Sequence, residues 1–218
     1  GHKYGKNDYF FDEQKRTISI IREEAMMKWL ISSGNVDAYE REFLGPGRKN
    51  IWQFLKRSGI SAQEWKELIR YTIDVGGVLK EGISLKEIDA FIRNSAGEAY
   101  IPGSSLKGAL RTAILFDKIK TNGRRSEDKI NRELEEKYLQ GMMRGIAISD
   151  SAPIPDSSLT LVQKVDLRQD NQKREPNLVR ECLRPGCEIF FTLTLDHAIF
   201  RERLSAQDIL KAIADFYD

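Results

Sequence analysis

The sequence predicts an α+β fold in which a strand-and-helix core, expected as one domain over residues 1–218, carries a helical insertion over about residues 22–83. Three observations lead there. "YIPGSSLKGALRTAIL" is a breaker followed by an amphipathic helix, "SLTLVQKV" and "EIFFTLTL" are strand-like, and capped helical segments occupy the N-terminal half.

In chain order, the first element is a strand over Thr17 to Ile21. "REEAMMKWLISSG" follows as a helix closed by Gly34, then a polar turn, "LGPGRKN". "SAQEWKELIRYTIDVGG" reads as a second helix, opened by a Ser61–Glu64 capping box. It would place Trp65, Leu68, Ile69 and Thr72 on one face for packing. "SLKEIDAFIRNS" is ambiguous, because Ser84 and Glu87 suggest a helix cap while Ile88, Ala90 and Ile92 alternate as in a strand. "TNGRRSEDKINRELEEKY" is so charged that a solvated helix or mobile loop accounts for it. The closing "SAQDILKAIADFY" aligns Ile209, Leu210, Ile213 and Phe216 as an apolar helical face.

The segment after Ala99 carries the chemistry. Pro102, Gly103, Ser104 and Ser105 end a strand and open a helix, and either serine could cap its first free amides. Leu106, Leu110, Ala113 and Ile114 then fall on one stripe, while Ser104, Lys107, Gly108 and Arg111 fall on its neighbour. The second stripe joins a hydroxyl, two cations and a bare backbone to the positive end of a helix dipole, which suits an anion. A glycine inside a helix costs roughly 1 kcal/mol against alanine, so Gly108 suggests that something approaches the backbone closely. A capped amphipathic helix with two solvated cations is the competing explanation. A nucleotide-binding P-loop is excluded by order, since the serines here precede Lys107.

Composition gives little else. With 35 basic against 33 acidic residues, the net charge of +2 implies no polyanion partner unless the cations cluster. They do cluster in "VQKVDLRQDNQKREPNLVRECLRPG", which holds Lys164, Arg168, Lys173, Arg174, Arg180 and Arg184 between two strand-like segments. No apolar run is long enough to span a membrane and none resembles a signal peptide, so the cytoplasm is the expected location. Cys182 and Cys187 lack a second pair and are expected as buried, reduced thiols. Of the two histidines, His2 and His197, neither has a nucleophile or metal-ligand partner nearby in sequence, and His197 is expected at a strand end. No catalytic residue, metal site or cofactor is predicted; Asp150 and Asp166 would assist RNA cleavage only with a base or cation placed against them.

"YIPGSSLKGALRTAIL" resembles the signature of the RAMP superfamily, the Cas7-like subunits of CRISPR effector complexes. "GIAISDSAPI" and "REPNLVRECLRPGCEIFFTLTLD" are similar to two further pieces of the same family, the second being its glutamate followed by Pro-Gly and a strand. The N-terminal "GHKYGKNDYFFDEQKRTISII" and the insertion after it look most like the fifth subunit of type III-A, or Csm, complexes, which caps the backbone filament. The resemblance implies a ferredoxin-like or RRM-like core, with the "SLKEIDAFIRNS" strand feeding directly into Pro102 and Gly103. The family usually begins with a full strand leading into a glycine-containing turn, whereas this chain opens at Gly1 as though partway through that turn, so an N-terminal strand is expected to be missing.

From the resemblance follow the expected partners and contacts. Guide RNA (crRNA) would be held by Gly103, Ser104, Ser105, Lys107, Gly108 and Arg111, and by Lys164, Arg168, Lys173, Arg174 and Arg180 in a connection resembling the family's protruding thumb. A neighbouring Cas7-like backbone subunit is the implied protein partner, with target RNA and host ribonucleases as further candidates. Three functions stay open at this point: a non-catalytic crRNA-binding cap at the 3′ part of the guide that supports its maturation in antiviral interference, a processing endoribonuclease, and a scaffold whose cations merely solvate it.

Overall fold

The structure, a computed structural model, describes residues 2–45, 50–75, 85, 87–121, 132–139, 141–168, 172–174, 178–200 and 205–217. In chain order its elements are β1 (Lys3–Tyr4), β2 (Tyr9–Asp12), β3 (Thr17–Ile21), α1 (Glu23–Ser32), α2 (Val36–Phe43), α3 (Ile51–Arg57), α4 (Ala62–Leu68), β4 (Ile69–Asp74) and β5 (Ile88–Asp89). They continue as α5 (Gly103–Thr121), α6 (Arg132–Leu139), β6 (Ile146–Ile148), β7 (Leu159–Gln163), β8 (Asp166–Leu167), β9 (Lys173–Arg174), β10 (Val179–Leu183), β11 (Leu193–Leu195), α7 (His197–Phe200) and α8 (Ala206–Tyr217). The class is α+β, as expected. The elements group into two compact units, Gly1–Ala99 with Ile154–Cys187, and Tyr100–Pro153 with Glu188–Asp218.

In the first unit a four-stranded sheet runs β1-β5-β10-β7. Its outer pairs are antiparallel and its middle pair, β5 with β10, is parallel, the pattern of directions of a ferredoxin-like sheet. The central β10 lies inside the stretch expected to be a connection. Its inward positions are Val179 and Glu181, and a carboxylate in an apolar slot hides the alternation from a sequence reading.

The strand over Thr17–Ile21 forms as predicted and pairs with β2 and β4 in a three-stranded antiparallel sheet. Helices α1 to α4 then close on Met26, Trp29, Leu30, Phe43, Phe54, Leu55 and Leu68, which form one apolar cluster. The Ser61–Glu64 capping box is present, but the helix it opens stops at Leu68 and the chain continues as β4. Trp65, Leu68, Ile69 and Thr72 therefore share no face. Period two takes over, burying Tyr71 and Ile73 and exposing Thr72. Residues 46–49 of the expected polar turn, and Ser84 of the alternative helix cap, lie outside the described residues.

"SLKEIDAFIRNS" is extended where described, giving β5 and a bridge from Arg93 to Ala99. It does not feed straight into Pro102. A turn at Asn94–Gly97 intervenes, with Gly97 at φ +82°, and the Gly97 carbonyl accepts from Arg93 Nη1 at 3.0 Å.

In the second unit α5 packs with α8 and β6. Leu110, Ala113 and Ile114 are buried and Leu106 half-buried, which matches the predicted stripe. On α8 the inward face is Ile209, Ala212 and Ile213, whereas Leu210, assigned to that face from sequence, is 63% exposed. "EIFFTLTL" forms a strand only at β11, which pairs with β6, and His197 opens α7 rather than ending a strand. Residues 122–131 of the charged segment lie outside the described residues, while "RELEEKYL" forms α6.

Candidate nucleic-acid interface

The start of α5 is fixed from a distance. The Gly103 amide donates to Asp150 Oδ1 at 2.8 Å, so this carboxylate caps the helix in the place expected for Ser104 or Ser105. The Pro102 carbonyl accepts from the Ser105 and Leu106 amides at 2.9 and 3.2 Å. Gly103 itself is buried. A Cβ there would fall on the Ile148 carbonyl oxygen and lie 2.7 Å from that of Ser149, so this glycine lets the helix start against the backbone leaving β6.

One turn further the surface opens. Ser104, Ser105, Gly108 and Arg111 are exposed and Lys107 half-exposed, and a Cβ on Gly108 would meet nothing within 4 Å. Lys107, Gly108 and Arg111 thus line a solvent-facing stripe with a low point between two cations, where a bulky anion can come close to the helix.

Most of the second predicted group sits on a hairpin of the first unit. Strands β7 and β10 continue beyond Gln163 and Val179 through a bond from the Lys164 amide to the Leu178 carbonyl at 2.9 Å, and then as the short ladder β8–β9. Along it Lys164, Arg168, Lys173 and Arg174 are exposed, interleaved with Val165 and with Leu167, the latter 72% exposed. Lys164 Nζ is 3.0 Å from Asp166 Oδ1, an exposed pair of little energetic weight. Arg180 lies on the sheet rather than the hairpin, 4.0 Å from Asp89 Oδ2 of β5, and Arg184 Nε donates to the Leu159 carbonyl at 3.0 Å.

Sequence reading missed a buried polar network beneath that sheet. Glu181, whose side chain has no exposed surface, accepts from the Tyr71 hydroxyl at 2.7 Å and from the Phe91 amide at 2.8 Å. Tyr71 also bonds Tyr4 at 3.0 Å, and the Arg93 guanidinium lies 4.1 Å from the Tyr71 ring centre. Arg93 Nη1 binds Asp156 at 2.8 Å while Nη2 faces Glu181 at 3.8 Å. Burial pushes the Glu181 carboxyl up, against the opposing pull of Phe91, Tyr71 and Arg93, and pushes the Tyr71 phenol far above its ordinary range. Tyr4, Tyr71 and Glu181 tie β1, β4 and β10 together, while Arg93 Nε and Nη2 are buried without a hydrogen-bond partner and face the network through charge alone. Cys182 and Cys187 are half-buried rather than buried, and neither is in a disulfide. Among the described residues no group of three His, Cys, Asp or Glu could hold a metal ion, and no helix is long and apolar enough to cross a membrane.

The sequence profile of the RAMP superfamily matches residues 29–216, most of the chain. The chain belongs to the RAMP superfamily. It is 28% identical over 211 residues to the CRISPR system protein Csm5 of Enterococcus italicus, covering 88% of this chain and 54% of that one. Against Csm5 of Streptococcus thermophilus it is 34% identical over 124 residues, 51% of this chain and 35% of the relative. This RAMP chain thus spans about half the length, or less, of these relatives. Its fold is similar to the crystal structure of T. onnurineus Csm5, with a TM-score of 0.68, 20% identity and coverage of 100% of this chain and 75% of that one. A chain of a Csm–crRNA–target RNA ternary complex is comparably similar, with a TM-score of 0.67, 20% identity and coverage of 100% and 71%.

Proposed function

We propose that this RAMP chain is a guide-RNA-binding subunit of a type III-A CRISPR effector complex, without catalysis of its own. It caps the backbone filament at the 3′ part of the crRNA and supports crRNA maturation. The observation that carries the reading is the solvent-facing Lys107–Gly108–Arg111 stripe near the start of α5, with the side-chain-free Gly108 between two cations. Binding a phosphodiester chain needs positive charge and positioning, both of which this surface offers. Cleavage would also need a base or metal at the scissile ribose. Asp150 is engaged in capping Gly103, consistent with a structural duty. The basic hairpin of β8 and β9 gives a second place for RNA, and the similarity to proteins named Csm5 supports the assignment to a type III-A assembly. The partners in this reading are crRNA, with target RNA paired to it, and a neighbouring Cas7-like backbone subunit; no host ribonuclease is included.

The test is incubation of the purified chain with guide precursor and with target RNA, in magnesium, in manganese and in chelator, beside the Asp150→Ala and His197→Ala variants. Binding with intact RNA in every condition is expected. Cleavage abolished by either substitution would assign the chain to the endoribonucleases instead.

A further inference from the structure

We infer that Phe190 and Phe191 form a stacking site for unpaired RNA bases beside the cationic stripe of α5, an inference that rests on the RNA-binding reading above. The two phenylalanines are adjacent in sequence, 68% and 46% exposed, in an irregular segment leading into β11. Nothing about core packing requires them there, since Leu193 and Leu195 supply the apolar positions of that strand. Their backbone is nevertheless firmly held. The Phe190 carbonyl accepts from the Ala152 amide at 2.8 Å, and the Thr192 carbonyl accepts from the Ser149 amide at 3.0 Å. The Thr192 amide donates back to Ser149 Oγ at 2.9 Å.

Ser149 to Ala152 is the same loop that supplies Asp150 to the Gly103 amide. One loop therefore joins the start of α5 to the segment that carries the two exposed rings. Lys107 and Arg111 follow one and two turns into the helix. Exposed aromatic rings next to cations are the combination that holds single-stranded nucleic acid: charges take the phosphates and ring faces take the bases, without sequence preference. A protein partner would also use exposed phenylalanines, but Lys107 and Arg111 on the helix that this loop caps favour a polyanion.

The experiment uses the 218-residue chain, a 12-nucleotide single-stranded homopolymer RNA, and the same RNA with abasic ribose at every position. Phe190→Ala/Phe191→Ala should fold as the parent does, because both rings are exposed, and circular dichroism checks this. Its affinity for the homopolymer should fall about fivefold or more per lost stack with an unchanged salt slope. The abasic RNA should bind the parent about as weakly as the homopolymer binds the variant, and should not distinguish parent from variant. Phe190→Tyr/Phe191→Tyr should restore binding. Equal affinity of parent and alanine variant for the homopolymer would overturn the stacking site, and so would unchanged RNA affinity accompanied by loss of self-association in sedimentation, which would make the rings a protein-docking surface. Absence of salt-dependent RNA binding by the parent would overturn the underlying RNA reading, and this inference with it. Salt-dependent binding untouched by the phenylalanine substitutions overturns the inference alone.

Discussion

The Asp150 carboxylate and the Gly103 amide, 47 residues apart and 2.8 Å from one another, fix where the signature helix begins. The bond ties the end of β6 to the start of α5.

The two glycines of that helix should respond oppositely to substitution. Gly103→Ala places a methyl on the Ile148 and Ser149 carbonyls and should cost about 2 kcal/mol through forced backbone shifts. Gly108→Ala enters open space and should stabilise by about 0.5–1 kcal/mol through helix propensity. Urea unfolding of both variants measures this. The bulkier Gly108→Leu should also fold, yet lose RNA affinity if the backbone there is approached by RNA.

Tyr71 joins the Tyr4 hydroxyl to the Glu181 carboxylate. Tyr71→Phe strands both in a buried setting and should lower stability by about 1–3 kcal/mol. A variant as stable as the parent would mean that the network contributes nothing.

Glu181 sets a pH dependence with a definite sign. Burial raises its carboxyl above the ordinary 4.5, so the folded chain binds the proton more tightly than the unfolded one. Its contribution is complete below about pH 4.5 and is lost as pH rises through the folded value. Glu181→Gln, neutral throughout, removes the effect. The stability of the parent relative to this variant should therefore fall as pH rises above the ordinary 4.5 in parallel unfolding curves; a constant difference would contradict the assignment.

The signature helix was legible because its apolar stripe repeats at helical spacing, and the strand at Thr17–Ile21 because it is a short run rich in β-branched residues. β4 was hidden because a strong capping box at Ser61 invites the helix to run on, and the "YTID" alternation is only four residues long. β10 was hidden by Glu181, an acid at an inward position that makes sense only once Tyr71, Phe91 and Arg93 are brought to it from distant parts of the chain. The exposure of Lys107, Gly108 and Arg111 could be read from helical spacing; the capping of Gly103 by Asp150 could not, because it depends on how β6 returns to the helix.

The most direct measurement of the central claim is the salt dependence of RNA binding by the parent chain and by Lys107→Ala/Arg111→Ala, between about 50 and 200 mM salt. If both cations meet phosphates, the slope of log affinity against log salt should flatten by about 1.4, two contacts at roughly 0.7 each for a single strand, equally for unrelated sequences and with unchanged unfolding. A correctly folded double variant with the parent's slope would contradict the claim that this helix holds the guide.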